Sequence, residues 1–371
     1  MAEIVVKKQL VKFAPKGNDS FYDTLKSRVN EYFSSNNISH YSNRAMYIKT
    51  AAMLAMYVVP YVLIVTGLAK FSLGLYYGLW VLMGAGIVGI GTSIMHDSNH
   101  GAYSENKGLN MFLGNLLNFI GGYAPNWRIQ HNVLHHTYTN IGGLDEDIET
   151  GVALRMTPEK PLKSFHKYQH IYAWGLYCLM NIYWVVAKDY IKISLYNKQG
   201  LLVKEKLTLK KAILELSLLK VFYVAYIIVL PILFSGFAWY HVLGGFLAMH
   251  VVAGFSLACI FQPAHVVETS DFARPDESRK MENSWAVHQI MNTADFAPNN
   301  KLVSWFIGGL NFQIEHHLFP HVCHIHYPKI AGIVAEVAKE YDIPYQVMPS
   351  VRSALLAHGR MLKRLGNNER P

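Results

Sequence analysis

Residues 71–95, FSLGLYYGLWVLMGAGIVGIGTSIM, hold no Asp, Glu, Lys or Arg and run straight into His96, Asp97, Ser98, Asn99 and His100. A helix needs about 20 apolar residues to cross a bilayer's hydrocarbon. The stretch therefore predicts a membrane span that emerges at a pair of histidines. Upstream, residues 51–69 (AAMLAMYVVPYVLIVTGLA) are also uncharged, with Lys49 and Lys70 at their flanks. The link at 68–72 is so short that the two spans pair as a hairpin. Residues 221–267 again lack Asp, Glu, Lys and Arg. They are too long for one span and predict a second hairpin that turns near Ser235 and Gly236.

The two hairpin tips carry only Lys70 between them. The N-terminal segment carries Lys7, Lys8, Lys12, Lys16, Lys26, Arg28, Arg44 and Lys49. Because positive charge is retained on the cytoplasmic side, both termini and the long middle segment are expected there. The apolar stretches 109–124, 171–187 and 302–312 are too short or interrupted to span, and read as interfacial or re-entrant helices. Residues 268–300 are polar and predict a cytosolic loop or cap. The expected division is a cytosolic segment over 1–45, a membrane domain over 46–330 and a cytosolic segment over 331–371. No cleavable signal peptide is expected, since 1–42 lack an apolar core.

Composition agrees with a membrane chain. Of 371 residues, 51% are apolar and 16% charged, against about 25% charged in a typical soluble domain. The net charge of +9 reads as a basic face toward anionic head groups, because Lys and Arg flank apolar spans and no nucleic-acid motif is present. Cys178, Cys259 and Cys323 form no C-x-x-C pair and predict no disulfide.

The chemistry lies in the 18 histidines. His96 and His100 are one helical turn apart and share a face. His131, Asn132, Val133, Leu134, His135 and His136 place His131 and His135 on one face and His136 about 100° away, so one helix can serve two adjacent metals. His316 and His317, in Gln313-Ile314-Glu315-His316-His317, likewise diverge. Gln313 stands where this pattern would begin with histidine, and a neutral amide is a poor metal ligand. His265, at the end of the fourth span, and His288 are candidate replacements. Nine ligands result: His96, His100, His131, His135, His136, His265, His288, His316 and His317. They all fall on one side of the predicted membrane. Metal-bound imidazoles usually donate their other N–H to a carboxylate or carbonyl. Asp97, Asp145, Asp147, Glu268, Asp295 and Glu315 lie nearby in sequence, and Asp97, Asp145, Asp147 and Gln313 are the supporting residues expected. All-imidazole ligation suits Zn, Cu, Fe or Ni. His241 reads as an outer-interface residue, His250 as buried and hydrogen-bonded, and His321, His324 and His326 as surface packing, with a place behind the metal ligands as the alternative.

HDSNH, HNVLHH and QIEHH resemble the three histidine boxes of the membrane fatty acid desaturase and hydroxylase superfamily. WRIQHNVLHHTYTN, LDEDI and FQIEHHLFPH strengthen the likeness, which covers about residues 46–330. A third box beginning with Gln313 is similar to that of front-end desaturases, which act between an existing double bond and the carboxyl end. The resemblance implies an all-α integral membrane fold, with four transmembrane helices in two hairpins under a cytosolic helical cap. It also implies a di-iron centre and O2 as co-substrate. The chain looks like bacterial inner-membrane relatives without a fused cytochrome b5 domain. Electrons would then come from a separate ferredoxin, cytochrome b5 or similar donor.

The implied reaction takes two hydrogens from adjacent methylenes, leaves a cis double bond and releases water. No side-chain acid or base can break an unactivated C–H bond, so the chemistry belongs to the cofactor. The protein must then provide a bent apolar tunnel; Trp80, Trp127 and Trp305 are candidates to line it, with interfacial anchoring or core packing as the alternative. The acyl substrate is expected on CoA, a lipid or a carrier protein. Two alternatives stand beside this reading: a lipid hydroxylase on the same scaffold, and a non-redox membrane metal protein such as a zinc hydrolase or metal carrier. A zinc hydrolase usually needs only three protein ligands, and carriers place polar ligands near the bilayer midplane.

Overall fold

The computed structural model describes residues 11–14 and 20–369. Lys7, Lys8 and Lys16 of the basic N-terminal segment lie outside the described residues.

The main elements are α1 (Ser20–Ser35), α2 (Arg44–Val65), α3 (Leu73–Asn99), α4 (124–138), α5 (169–198), α6 (Leu209–Phe234), α7 (Trp239–His265), α8 (Trp285–Met291), α9 (Gln313–Leu318), α10 (Tyr327–Glu340) and α11 (Val351–Gly366). Strand pairing among the described residues is limited to a parallel ladder of β1 (Asp295–Phe296) with β2 (Val347–Met348) and a bridge between Lys12 and Lys280.

Four helices, α2, α3, α6 and α7, are long and apolar enough to cross a membrane. Their bounds differ from the uncharged runs for local reasons. The Asn43 side chain accepts from Met46 N and starts α2 before the apolar run begins. Thr208 caps α6 in the same way, so that helix takes in the charged residues 209–220 before its apolar run. The connections 66–72 and 235–238 lie side by side, with Gly67 packed against the Phe234 and Ser235 backbone.

The helices approach closely where residues are small, which suits packing within a membrane. A Cβ on Gly84 would clash with the Met249 carbonyl, and one on Gly86 with the Tyr57 backbone, so α3 lies against both α7 and α2. Met53, Tyr57, Trp80, Met83 and Met249 fill the resulting core. α5 continues the bundle against α7. Its outer side chains Ile171, Leu179 and Val186 are at least half exposed, an apolar face where an interfacial helix was expected.

α4 is fixed by polar ties. Asn126 donates to Asp189 of α5, and Lys220 of α6 donates to the same carboxylate at 2.9 Å. Above the histidine-bearing helix ends, α1 packs on α10 through Phe21, Leu25, Val29, Val334 and Val337. β1 and β2 bring Tyr345 beside Asp295.

Candidate metal centre

Each histidine group reaches the centre on a differently built element. Residues 90–95 of α3 and 129–135 of α4 are wound as π-helical turns. Such bulges shift helix register and recur at functional sites. The first bulge ends at His96 and the second contains His131 and His135. The third group rides on α9, a helix of only six residues. Its approach is set by Gly308 (φ +67), where a Cβ would strike the Thr92 carbonyl in the π-turn of α3. Only glycine adopts this conformation at such close range.

The ring nitrogens converge as three overlapping groups. His96, His100, His131 and His316 form one, His135, His265 and His317 another, and His136 with His316 and His317 the third; within each group the ligand atoms lie within 4.8 Å of one another. His131 Nε2 is 3.1 Å from His96 Nε2 and 3.2 Å from His136 Nε2. His131 and His135 share a face as expected: their rings stack 5.2 Å apart and both Nδ1 atoms approach Asp147, while His131 also joins His96, His100 and His316, and His135 joins His265 and His317. His96 and His100 share a group as expected, and His316 and His317 diverge as expected.

Polar partners hold the rings from behind. His135 Nδ1 is 3.0 Å from both Asp145 oxygens, and His131 Nδ1 is 3.4 Å from Asp147. His317 Nδ1 faces Gln289 Oε1 at 2.8 Å, His316 Nδ1 faces the Tyr327 hydroxyl at 3.2 Å, and His265 Nδ1 faces the Asn292 carbonyl at 3.4 Å. Asn140, at φ +59, donates to the His265 carbonyl, and its own N–H donates to Asp145. Asp145 and Asp147 thus lie where the sequence placed them, while Gln289, Tyr327 and Asn292 carried no motif that would have revealed them.

Burial disfavours charge throughout the cluster. His131 is lowered to about 3, and His100, His136, His316 and His317 lie well below the usual range, by burial and mutual repulsion. Neutral imidazole is the ligating form. His135 differs: burial works against its charge, but Asp145 and Asp147 outweigh it and raise it to about 9.

α9 is tied down by a carboxyl pair. Asp295 accepts from Ile314 N, and the Tyr345 hydroxyl donates to Asp295 at 2.8 Å and to Glu315 at 3.0 Å. Burial raises both carboxyls, Asp295 to about 6. Glu268 lies elsewhere, paired with exposed Arg360.

The remaining candidates separate clearly. His288 does not join the cluster: its Nε2 lies 2.7 Å from the Thr139 carbonyl and its Nδ1 3.4 Å from Asn292. Gln313 is buried with its Nε2 unpartnered. His324 overturns the surface reading, being 3% exposed. Lys49 donates to its Nε2 at 2.7 Å, and its Nδ1 and backbone N–H both donate to Asp97 Oδ2. Asp97 Oδ1 is 3.9 Å from His96 Nδ1. Lys49, read as a flanking charge, is thus a buried one that supports this array. His250 is buried and paired as expected, and His241 meets the Tyr77 hydroxyl.

A cavity of about 830 Å³ opens beside the cluster, with His96, His131 and His265 in its wall. Its size is that of a ligand pocket. Trp127 lines it; Trp80 is instead fully buried in the core, and Trp305 is a partly exposed residue near Lys49.

The donor set fits a metal pair. His100 Nε2, His265 Nε2, His316 Nε2 and His317 Nε2 are buried and have no hydrogen-bond partner among the described residues, and His96 and His136 turn their Nε2 atoms on His131 Nε2. Buried polar nitrogens ordinarily find one.

The fatty acid desaturase family model matches residues 72–349. The chain is 37% identical to the sn-1 linoleoyl-lipid 6-desaturase of Arthrospira platensis, over 94% of this chain and 93% of that protein. It is 35% identical to the protein of that name from Synechocystis sp., over 96% and 98%. It is 36% identical to the acyl-lipid (8-3)-desaturase of Physcomitrium patens, over 98% of this chain and 75% of that one. The chain belongs to the fatty acid desaturase family, as an oxidoreductase of the front-end type.

Proposed function

We propose that the chain desaturates the acyl chain of a membrane lipid near its carboxyl end, at the 6 or 5 position, through two iron ions held by His96, His100, His131, His135, His136, His265, His316 and His317. The carrying observation is a set of buried imidazoles that converge beside a largely apolar cavity, four of them with an Nε2 that has no partner among the described residues. Bound iron supplies O2 activation and electron transfer, which no side chain offers. The residues do the rest. Asp145, Asp147, Gln289, Tyr327 and the Asn292 carbonyl hold the Nδ1 edges and so aim the Nε2 lone pairs inward. Asp97, fixed by His324 and Lys49, stands behind His96. The cavity excludes water and holds one carbon pair beside the centre.

The acyl-lipid substrate and the bond position follow the names of the relatives. The arrangement read here is two hairpins, with residues 46–330 as the membrane domain and the histidine end and both termini in the cytoplasm of a bacterial inner membrane. A separate ferredoxin or cytochrome b5 then reaches that face with electrons.

Expression in a host of defined lipid composition, with double-bond location by mass spectrometry, tests the reading. One new cis bond near the carboxyl end of a lipid-bound chain is expected, together with iron in the purified protein. An added hydroxyl group, or zinc in place of iron, would overturn it.

A further inference from the structure

An enzyme that works near the carboxyl end must fix that end close to its metal site. The wall of the cavity carries a cation suited to the task. Lys188 lines the same cavity as His96, His131 and His265. It sits in a π-helical turn of α5, and its ammonium lies 4.6 Å from the Trp184 ring centroid, which holds it against the wall. Among the described residues it makes no hydrogen bond or ion pair. Its neighbour Lys192, by contrast, is paired with Glu146. Asp147, which contacts His131, lines the same wall, so the cation and the histidine end share one chamber.

The charges around it choose the ligand. Glu146, Asp147 and Glu149 line the cavity as well. Glu146 and Glu149 are the partners of Lys192 and Lys160, and Asp147 lies beside His131, so a phosphate or free carboxylate would add negative charge that Lys188 alone faces, whereas a neutral acyl carbonyl adds none. Gln199, also in the wall, has a buried, unpartnered Oε1, and adds a polar atom to an otherwise largely apolar chamber.

We infer that Lys188 anchors the acyl ester by donating a hydrogen bond to its carbonyl oxygen, and thereby sets the count of carbons from the carboxyl end to the metal site. This rests on the acyl-lipid reading above.

The test uses the purified full chain in detergent and a phosphatidylcholine bearing a parinaroyl chain, whose fluorescence reports binding. A charged hydrogen bond of this kind corresponds to at least about tenfold in affinity. Wild type should bind the ester-linked probe at least about tenfold more tightly than its ether-linked counterpart, which lacks the carbonyl. Lys188→Met should lose that preference, Lys188→Arg should keep most of it, and iron content should be unchanged in both. In cells, Lys188→Met should spread the new double bond over several positions. Equal binding of ester and ether probes by wild type overturns the anchor without any variant. Wild type that binds neither probe overturns the acyl-lipid reading and the anchor together. Displacement by acyl-CoA in preference to acyl-lipid assigns the carbonyl to a thioester and leaves the anchor standing. Strong displacement by free linoleate contradicts the charge argument and sinks it.

Discussion

α7 carries two buried histidines that differ in one respect. His250, inside the helix, has Asn181 Nδ2 2.9 Å from Nδ1 and the Tyr223 hydroxyl 2.8 Å from Nε2. His265, at the C-terminal end, has the Asn292 carbonyl near Nδ1 and nothing at Nε2. An unpaired buried polar atom costs about 1–3 kcal/mol. Paying that once is tolerable, but four such Nε2 atoms in one cluster require a compensating ligand. A ring paired at both edges is structure; a ring paired at one edge, among others like it, is a binding site.

The sharpest way to break this distinction is to remove one ring of each kind. His316 belongs to two of the three converging groups. His316→Ala is expected to strip bound iron and cut product by more than about 100-fold, beyond what losing a supporting residue costs. His288→Ala, by contrast, removes a ring engaged at both edges and should retain iron. Metal content of the purified variants, beside fatty acid analysis, decides. Iron lost equally from both variants would end the distinction.

This distinction was not legible in the sequence. Spacing located the three histidine groups and the four spans, because apolar run length and one-turn repeats survive in almost any packing. It did not separate His265 from His288, since what distinguishes them is whether Nε2 meets the Thr139 carbonyl. Lys49 read as a flanking charge and His324 as surface packing until folding brought them together across 275 positions. Tyr345, Gln289 and Tyr327 support the site from segments without any motif. Local chemistry was readable; partners that arrive from distant chain were not.

A smaller effect sharpens the same contrast from behind the rings. Asp145 accepts from His135 and from the backbone N–H groups of Asn140 and Asp147. Asp145→Asn keeps the shape but removes the charge that holds the His135 proton on Nδ1. Supporting residues of metal-bound histidines typically contribute 10- to 100-fold, and a loss of about that size in iron affinity is expected. A variant with unchanged iron affinity would show that the carboxylate only packs.

The smallest effect comes from the closed site, and it has to be invisible to iron. Tyr223→Phe deletes one hydroxyl with little change in shape and leaves His250 Nε2 facing an apolar ring. The expected cost is about 1–3 kcal/mol of stability, seen as a lowered thermal midpoint in detergent, with iron content and product unchanged. The sign matters more than the size. If a metal ligand and a structural histidine differ only in which edges are satisfied, unsatisfying His250 must weaken the fold without creating or destroying a metal site. Loss of iron in Tyr223→Phe would mean that the two ends of α7 are coupled, and that pairing at the ring edges does not separate binding from structure.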